Sequence, residues 1–204
     1  MKLILVRHGE TEENRVGIIQ GHLPGRLSKE GKQQVRELAL RLKEENLDYI
    51  YSSDLARCIK TAKEILKFHP STELRLSPEL REQGKGKLEG KLEIDLKKLQ
   101  EKSKEEWGQF RPKNGESGQD VWNRVVKFYQ KVKREHQKQS VLIVSHGGPI
   151  RCLLTYLHKE PIQDSIKYKP QNTAISVIKI DKDGKCNFQG LNYIKHFTVK
   201  KTSS

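Results

Sequence analysis

Two short runs without a polar residue, Leu3 to Val6 and Val141 to Val144, limit what this chain can fold into more than any other feature. Four consecutive apolar residues with β-branched members leave no side for water. Each run therefore reads as a strand buried on both faces, of the kind found in parallel sheets covered by helices. Both stop abruptly. Arg7, His8 and Gly9 follow the first, and Ser145, His146, Gly147, Gly148 and Pro149 follow the second. Ligands of open α/β sheets collect beyond the carboxyl ends of the strands, so an imidazole, a guanidinium and glycines there can face a substrate. The same residues also read as a solvated arginine and hydrogen-bonded histidines where a strand ends.

Between and after these strands the pattern alternates. Residues 9–26, with Gly17, Gly21, Pro24 and Gly25, form a loop over the end of the first strand. Ser28 caps a helix with Val35, Leu38, Ala39 and Leu42 on one face, ending near Asn46. A short strand, Tyr49 to Tyr51, runs through Ser52 and Ser53 into a helix capped by Asp54, with Ile59, Ala62 and Leu66 on its stripe. Arg57 falls in the first turn of that helix, where unpaired N–H groups and the helix dipole favour an anion; the other reading is a surface ion pair with Asp54. Leu74 to Leu76 is a further short strand.

Residues 80–91 read as a flexible basic loop holding Glu82, three glycines, and Lys85, Lys87 and Lys91. The three lysines favour a substrate with extra negative charge, or else are simply solvated. Leu92 to Trp107 reads as an amphipathic helix on Leu92, Leu96 and Leu99. Its charged face, with Lys97, Lys98, Lys102 and Lys104 among Glu101, Glu105 and Glu106, is expected in solvent. Ser117 and Asp120 fit a capping box for a helix with Val121, Val125, Phe128 and Val132. The second buried strand leads into a helix with Ile150, Leu153, Leu154 and Leu157. A hairpin, Ala174 to Ile180 and Asn187 to Tyr193, closes the pattern.

The chain has 204 residues, enough for one domain, expected over 1–195 with a polar tail at 196–204. Forty Lys and Arg against 26 Asp and Glu give a formal charge of +14, which favours anionic partners. Cys58, Cys152 and Cys186 lack the spacing of a zinc site or a disulfide framework and read as reduced thiols. No apolar stretch approaches the roughly 20 residues of a membrane span, and no signal peptide is apparent. A cytoplasmic protein is expected.

Two histidines at strand ends, two arginines, a glutamate among glycines and a basic loop together suggest phosphoryl chemistry, which needs charge neutralisation, an in-line nucleophile and an acid for the leaving oxygen. The chain has no P-loop, no cysteine-phosphatase spacing and no G-x-S-x-G elbow. His8 and His146 lack neighbouring metal ligands in sequence. His22, His69, His136, His158 and His196 are expected in loops or on polar helical faces, without a part in the chemistry.

RHGE with Thr11 and Asn14, SSDLARCIKTA, Glu82 in LREQGKGKLEG, and SHGGPIR, in this order, resemble the histidine phosphatase superfamily with its phosphoglycerate mutase-like fold. The resemblance and the element pattern imply an α/β fold, a three-layer αβα sandwich with a mostly parallel central sheet and a C-terminal antiparallel hairpin. The resemblance implies His8 as the phosphorylated nucleophile, Glu82 as proton donor, and Arg7, Arg57 and His146 as ligands of the phosphoryl oxygens. It implies further phosphate-pocket roles for Asn14 and the Gly147 backbone, while Gln20, Gly21, Glu116, Ser117 and Asn172 fall in segments bordering the pocket. The expected activity is hydrolysis of a small phosphorylated metabolite without metal or cofactor, by a monomer or homodimer, with no nucleic-acid or membrane partner. Phosphatase is favoured over mutase because the chain is compact. Mutase-type phosphoryl transfer and a non-catalytic basic domain binding a polyanion remain the alternatives.

Overall fold

The computed structural model describes residues 1–194; the polar tail at 196–204 and His196 lie outside the described residues. A six-stranded sheet of β1 (Lys2–Arg7), β2 (Tyr49–Ser53), β3 (Glu73–Ser77), β4 (Ser140–Ser145), β5 (Ile175–Ile180) and β6 (Cys186–Tyr193) has the order β3-β2-β4-β1-β5-β6. The pairs β1/β4, β4/β2 and β2/β3 are parallel, while β5 runs antiparallel to both β1 and β6. The expected α/β sandwich with its C-terminal hairpin is what forms.

The uninterrupted apolar runs have the expected cause. Side chains alternate across a strand, so Leu3, Leu5, Val141 and Ile143 enter one core while Ile4, Val6, Leu142 and Val144 enter the other. The first core is completed by α5 (Gly118–Glu135) and α6 (Gly147–Leu157). The second is completed by α2 (Lys29–Leu42) and α3 (Ala56–Leu66). A short α1 (Glu12–Arg15) lies in the first loop, and α4 (Glu93–Ser103) stands over the carboxyl end of the sheet.

Ser28 and Ser117 cap α2 and α5 as expected, the latter in a capping box with Asp120. Other local readings need correction. Helix α2 ends at Leu42, short of Asn46. Asp54 does not cap α3: Leu55 holds that position without a side-chain bond, and the Asp54 carboxylate instead takes Nε and a terminal nitrogen of Arg81. The buried residues of α3 are Arg57, Cys58, Thr61, Ala62 and Ile65, so of the expected stripe Ala62 is buried while Ile59 and Leu66 give way to Cys58 and Ile65.

The 92–107 helix is shorter than expected and buries none of its residues, with Leu92 at 49% and Leu99 at 44% exposure. Gly9 does not open the strand end to a ligand: a Cβ there would run into Val35 and the carbonyl oxygen of Gly31, so its role is the close approach of α2. His69 and His136 are buried rather than on polar faces. His69 bonds to the Leu42 carbonyl, and His136 to Tyr51 and Gln139. The three cysteines are free thiols. Among the described residues no helix is long and apolar enough to cross a membrane.

Candidate active site

The register of β1 against β4 pairs Arg7 with Ser145, so the residues that follow, His8 and His146, leave neighbouring strands at the same level. The His8 N–H donates to the Ser145 carbonyl at 3.0 Å, and the two imidazoles meet edge to face with centroids 5.1 Å apart. Parallel pairing makes one site of the two strand ends. A cavity of about 490 Å³ opens there. Its walls include Arg7, His8, Asn14, Gln20, Gly21, Arg57, Glu82 and Gly147. A larger cavity, about 980 Å³, lies elsewhere, between Trp122, Tyr156 and the β5–β6 turn, and holds none of the expected site residues.

His8 is 2% exposed. Its Nδ1 lies 2.8 Å from the Gly9 carbonyl oxygen, which fixes Nδ1 as the protonated nitrogen and leaves the Nε2 lone pair free. Burial, and then the charges of Arg57 and Arg7, push its pKa well below that of an ordinary histidine. The ring is therefore neutral. Asn172 and Thr173 tether the residue from behind, with Asn172 Nδ2 donating to the His8 carbonyl at 3.0 Å and the Thr173 N–H donating to the carbonyls of Arg7 and His8. Asn172 Nδ2 also reaches Asn14 Oδ1, and the Thr11 N–H donates to the same oxygen, so the group Asn14 has left for the cavity is its Nδ2.

Arg57 is 1% exposed and makes no pair with Asp54. Its terminal nitrogens donate to the carbonyls of Leu23 and Gly21, each at 2.8 Å, and its Nε donates to His146 Nδ1 at 3.1 Å. Arg7 gives one terminal nitrogen to the Pro170 carbonyl, while its buried Nε has no hydrogen-bond partner. Burial lowers the pKa of both guanidinium groups from the usual arginine value. Arginines stay charged even so, and two of them desolvated against one cavity make a strong anion trap.

His146 departs from expectation. It is fully buried, with Nδ1 accepting from Arg57 and Nε2 2.9 Å from Ser53 Oγ and 3.3 Å from Cys58 Sγ. Its pKa is also lowered, by burial first and then by Arg57, His8 and Arg7. With both nitrogens engaged, the neutral ring lies one layer behind the cavity wall. It accepts from Arg57, whose side chain does line the cavity.

Glu82 lines the cavity beside the start of α6. The Gln83 N–H donates to its Oε1 at 2.8 Å, and the Gly148 N–H at the start of α6 lies 3.1 and 3.2 Å from its two oxygens. Only glycine allows that approach, because a Cβ at Gly148 would collide with the carboxylate. Burial raises the pKa of Glu82, but the Gln83 and Gly148 N–H groups and the charges of Lys85 and Arg57 outweigh it, so Glu82 is a carboxylate.

The loop carrying Glu82 is not the flexible segment expected. Glu116 accepts the Gly84 N–H and a two-point contact from Arg124, and Arg124 also donates to the carbonyls of Glu79 and Glu82. Residues 17–19 zip onto 90–93 through backbone hydrogen bonds, which fastens the first loop to this one. Glu116 and Ser117 thus lie behind the cavity, one buttressing the loop and the other capping α5. His22, with Nε2 2.8 Å from the Glu82 carbonyl oxygen, supports the same loop.

Lys85 enters the wall while Lys87 and Lys91 stay exposed. Lys97, expected in solvent, lines the cavity. Trp107, Arg151, Gln163, Ser165 and Lys169 also line it and were not singled out from the sequence. For Arg151 a signal existed, since four residues after Gly147 on a helix is the same face.

The histidine phosphatase superfamily (branch 1) matches residues 3–193. The chain belongs to this family. Phosphoserine phosphatase 1 of Hydrogenobacter thermophilus is 35% identical over 185 residues, covering 89% of this chain and 87% of that protein. Adenosylcobalamin/α-ribazole phosphatase of Salmonella typhimurium is 32% identical, covering 88% of this chain and 91% of its own. Among solved structures, a phosphoserine phosphatase from Entamoeba histolytica in complex with 3-phosphoglyceric acid superposes with a TM-score of 0.83 at 29% identity, covering 96% and 98% of the two chains. Family membership and these relatives class the chain as a phosphoric monoester hydrolase.

Proposed function

We propose that the chain is a metal-independent phosphatase that cleaves a small phosphate monoester through a phosphohistidine on His8. The observation that carries this reading is the fixed tautomer of His8, a neutral buried imidazole with its free lone pair beside two desolvated arginines. In the first half-reaction Nε2 forms a bond to phosphorus as the bond to the ester oxygen breaks, and Glu82 gives that oxygen a proton. In the second, Glu82 takes a proton from water as water attacks phosphorus, the N–P bond breaks and inorganic phosphate leaves.

Glu82 begins as a carboxylate, and a phosphoryl dianion placed against it opposes that charge and raises its pKa into the range of a proton carrier. Arg7 and Arg57 supply the positive charge that Mg²⁺ supplies in other phosphoryl-transfer sites. Asn14 Nδ2 and the Gly147 N–H add donors, Gln20 and Gly21 shape the rim, and His146 keeps Arg57 in register. Steady hydrolysis of p-nitrophenyl phosphate in excess EDTA, lost in His8→Ala, is the expected result. Dependence on added Mg²⁺ or Zn²⁺ would overturn the reading.

A further inference from the structure

The larger cavity, about 980 Å³, lies at the end of the sheet away from His8, where Met1 precedes β1 and Ile180 closes β5. It shares no lining residue with the strand-end cavity. Trp122, Tyr129 and Lys133 all line it from α5, because residues spaced in this way fall on one helix face. Tyr156, near the end of α6, meets both rings edge to face, with centroids 6.0 Å from Trp122 and 5.9 Å from Tyr129. Three aromatic rings thus share one wall. Cations stand beside it, with Lys133 one turn beyond Tyr129 and Lys159 just past the end of α6.

Lys133, Arg134, Lys138, Lys159 and Lys182 line this cavity, and among the described residues none of the five is in an ion pair. The acids on the same walls are Glu160 and Asp181. Glu160 is already taken by Lys167 and the Tyr168 hydroxyl, and Asp181 Oδ1 accepts the Lys185 N–H. The carbonyl ends of α5 and α6 lie here too, and each contributes about half a negative charge. Positive charge remains in clear excess. The hydroxyl of Tyr129 is open as well: the residue is 3% exposed, yet the hydroxyl has no hydrogen-bond partner among the described residues. Burial, and then the charges of Cys186 and Tyr156, raise its pKa, so it remains a donor, and those two neighbours place it on the cavity side. Buried hydroxyls are ordinarily paired, so a donor left open at the base of a cavity marks a place for an acceptor.

We propose that this second cavity binds a nucleoside polyphosphate, with the base against Trp122 and Tyr156 and the phosphates among Lys133, Lys159 and Lys182. The cavity has the size of a small-molecule site, about 300–1,000 Å³. Aromatic side chains take up a planar base by stacking, and several lysines with no carboxylate of their own call for several negative charges. A base that carries a chain of phosphates supplies both. Among the described residues no histidine lines the cavity, so it is a place of binding and not a second copy of the strand-end chemistry.

The probe is adenylyl imidodiphosphate, an ATP analogue whose last two phosphorus atoms are joined through nitrogen, so that it resists hydrolysis. The chain has two tryptophans, Trp107 in the strand-end cavity and Trp122 in this one, and fluorescence quenching therefore locates the ligand. Quenching should persist in Trp107→Phe and vanish in Trp122→Phe. Adenosine and tripolyphosphate should each bind more weakly than the probe, by about tenfold or more. Lys133→Met should weaken binding of the probe about 10- to 10²-fold and Tyr129→Phe about 3- to 10-fold, the worth of a charge-assisted and of a neutral hydrogen bond, with turnover of p-nitrophenyl phosphate unchanged. Lys159→Met decides the matter if Lys133→Met does not fold. Absence of binding, quenching confined to Trp107, tripolyphosphate binding as tightly as the probe, or unchanged affinity in the lysine variants overturns the proposal.

Discussion

The Nδ1 of His8 lies 2.8 Å from the carbonyl oxygen of Gly9, its own neighbour in the chain, so the tautomer of this imidazole is set by the backbone that carries it. Rapid quenching during turnover should trap an acid-labile, base-stable phosphoryl group on His8, attached at Nε2, and ³¹P NMR of the denatured adduct distinguishes the two ring isomers. An Nδ1 adduct, or turnover surviving in His8→Ala, would contradict the assignment.

Glu82→Gln should slow phosphoenzyme formation by on the order of 10² to 10⁴ with alkyl esters, the usual worth of a positioned acid. Aryl esters should lose less, because p-nitrophenolate leaves with little help from a proton. The comparison needs rapid mixing, since Glu82 is also the proposed base for the hydrolytic step and its loss slows steady turnover of every ester. Equal losses would shift the acid's role to another residue.

Arg57→Ala should behave differently. The phosphoryl charge it stabilises is present whatever the leaving group, so its loss, on the order of 10² to 10³, should be similar for alkyl and aryl esters. The same change strands the carbonyls of Gly21 and Leu23 and His146 Nδ1 without their donor. Unfolding in urea should therefore show a stability loss of about 2–4 kcal/mol.

His8 and His146 both have folded-state pKa values well below the ordinary one, chiefly through burial. In the unfolded chain each titrates near pH 6.5. As pH falls below that value the unfolded state binds protons that the folded state refuses, so stability drops from about pH 7 towards 5, before most carboxylates titrate. Melting temperatures across that window should fall, and less steeply in His8→Asn. Inorganic phosphate, bound by the folded site, should raise the whole curve. A flat profile from pH 7 to 5 would mean that the two rings are not held neutral by the fold.

What was legible in the sequence was whatever a strand or helix displays along its own length. β1 and β4 announced themselves because both faces of each are covered, and the capping box of α5 is a four-residue signal. The site residues at strand ends were legible for the same reason, since position within an element places them. What escaped were choices of partner made across the fold. Asp54 was read as a cap but prefers Arg81, Gly9 was read as an approach for ligand but admits α2, and His146 was read as a cavity group but supports Arg57. The leucines of α4 matched a helical period, yet periodicity says only that a face exists and not that anything covers it. Arg151 stood in plain view within SHGGPIR, and its seat on Trp107 is a contact that no local pattern announces.

The neighbouring placement of β1 and β4, strands far apart in sequence, bears on how the protein acquires activity as it folds. Local turns and helices close early, whereas pairing of strands distant in sequence requires a large loop to be closed and comes slowly. His8, Arg57 and His146 share a site only after β4 has entered between β2 and β1, and the His8 carbonyl is tethered only once Asn172 and Thr173 arrive ahead of β5. Helical signal should thus recover first in a refolding experiment, with enzymatic turnover returning in step with the last strands to dock.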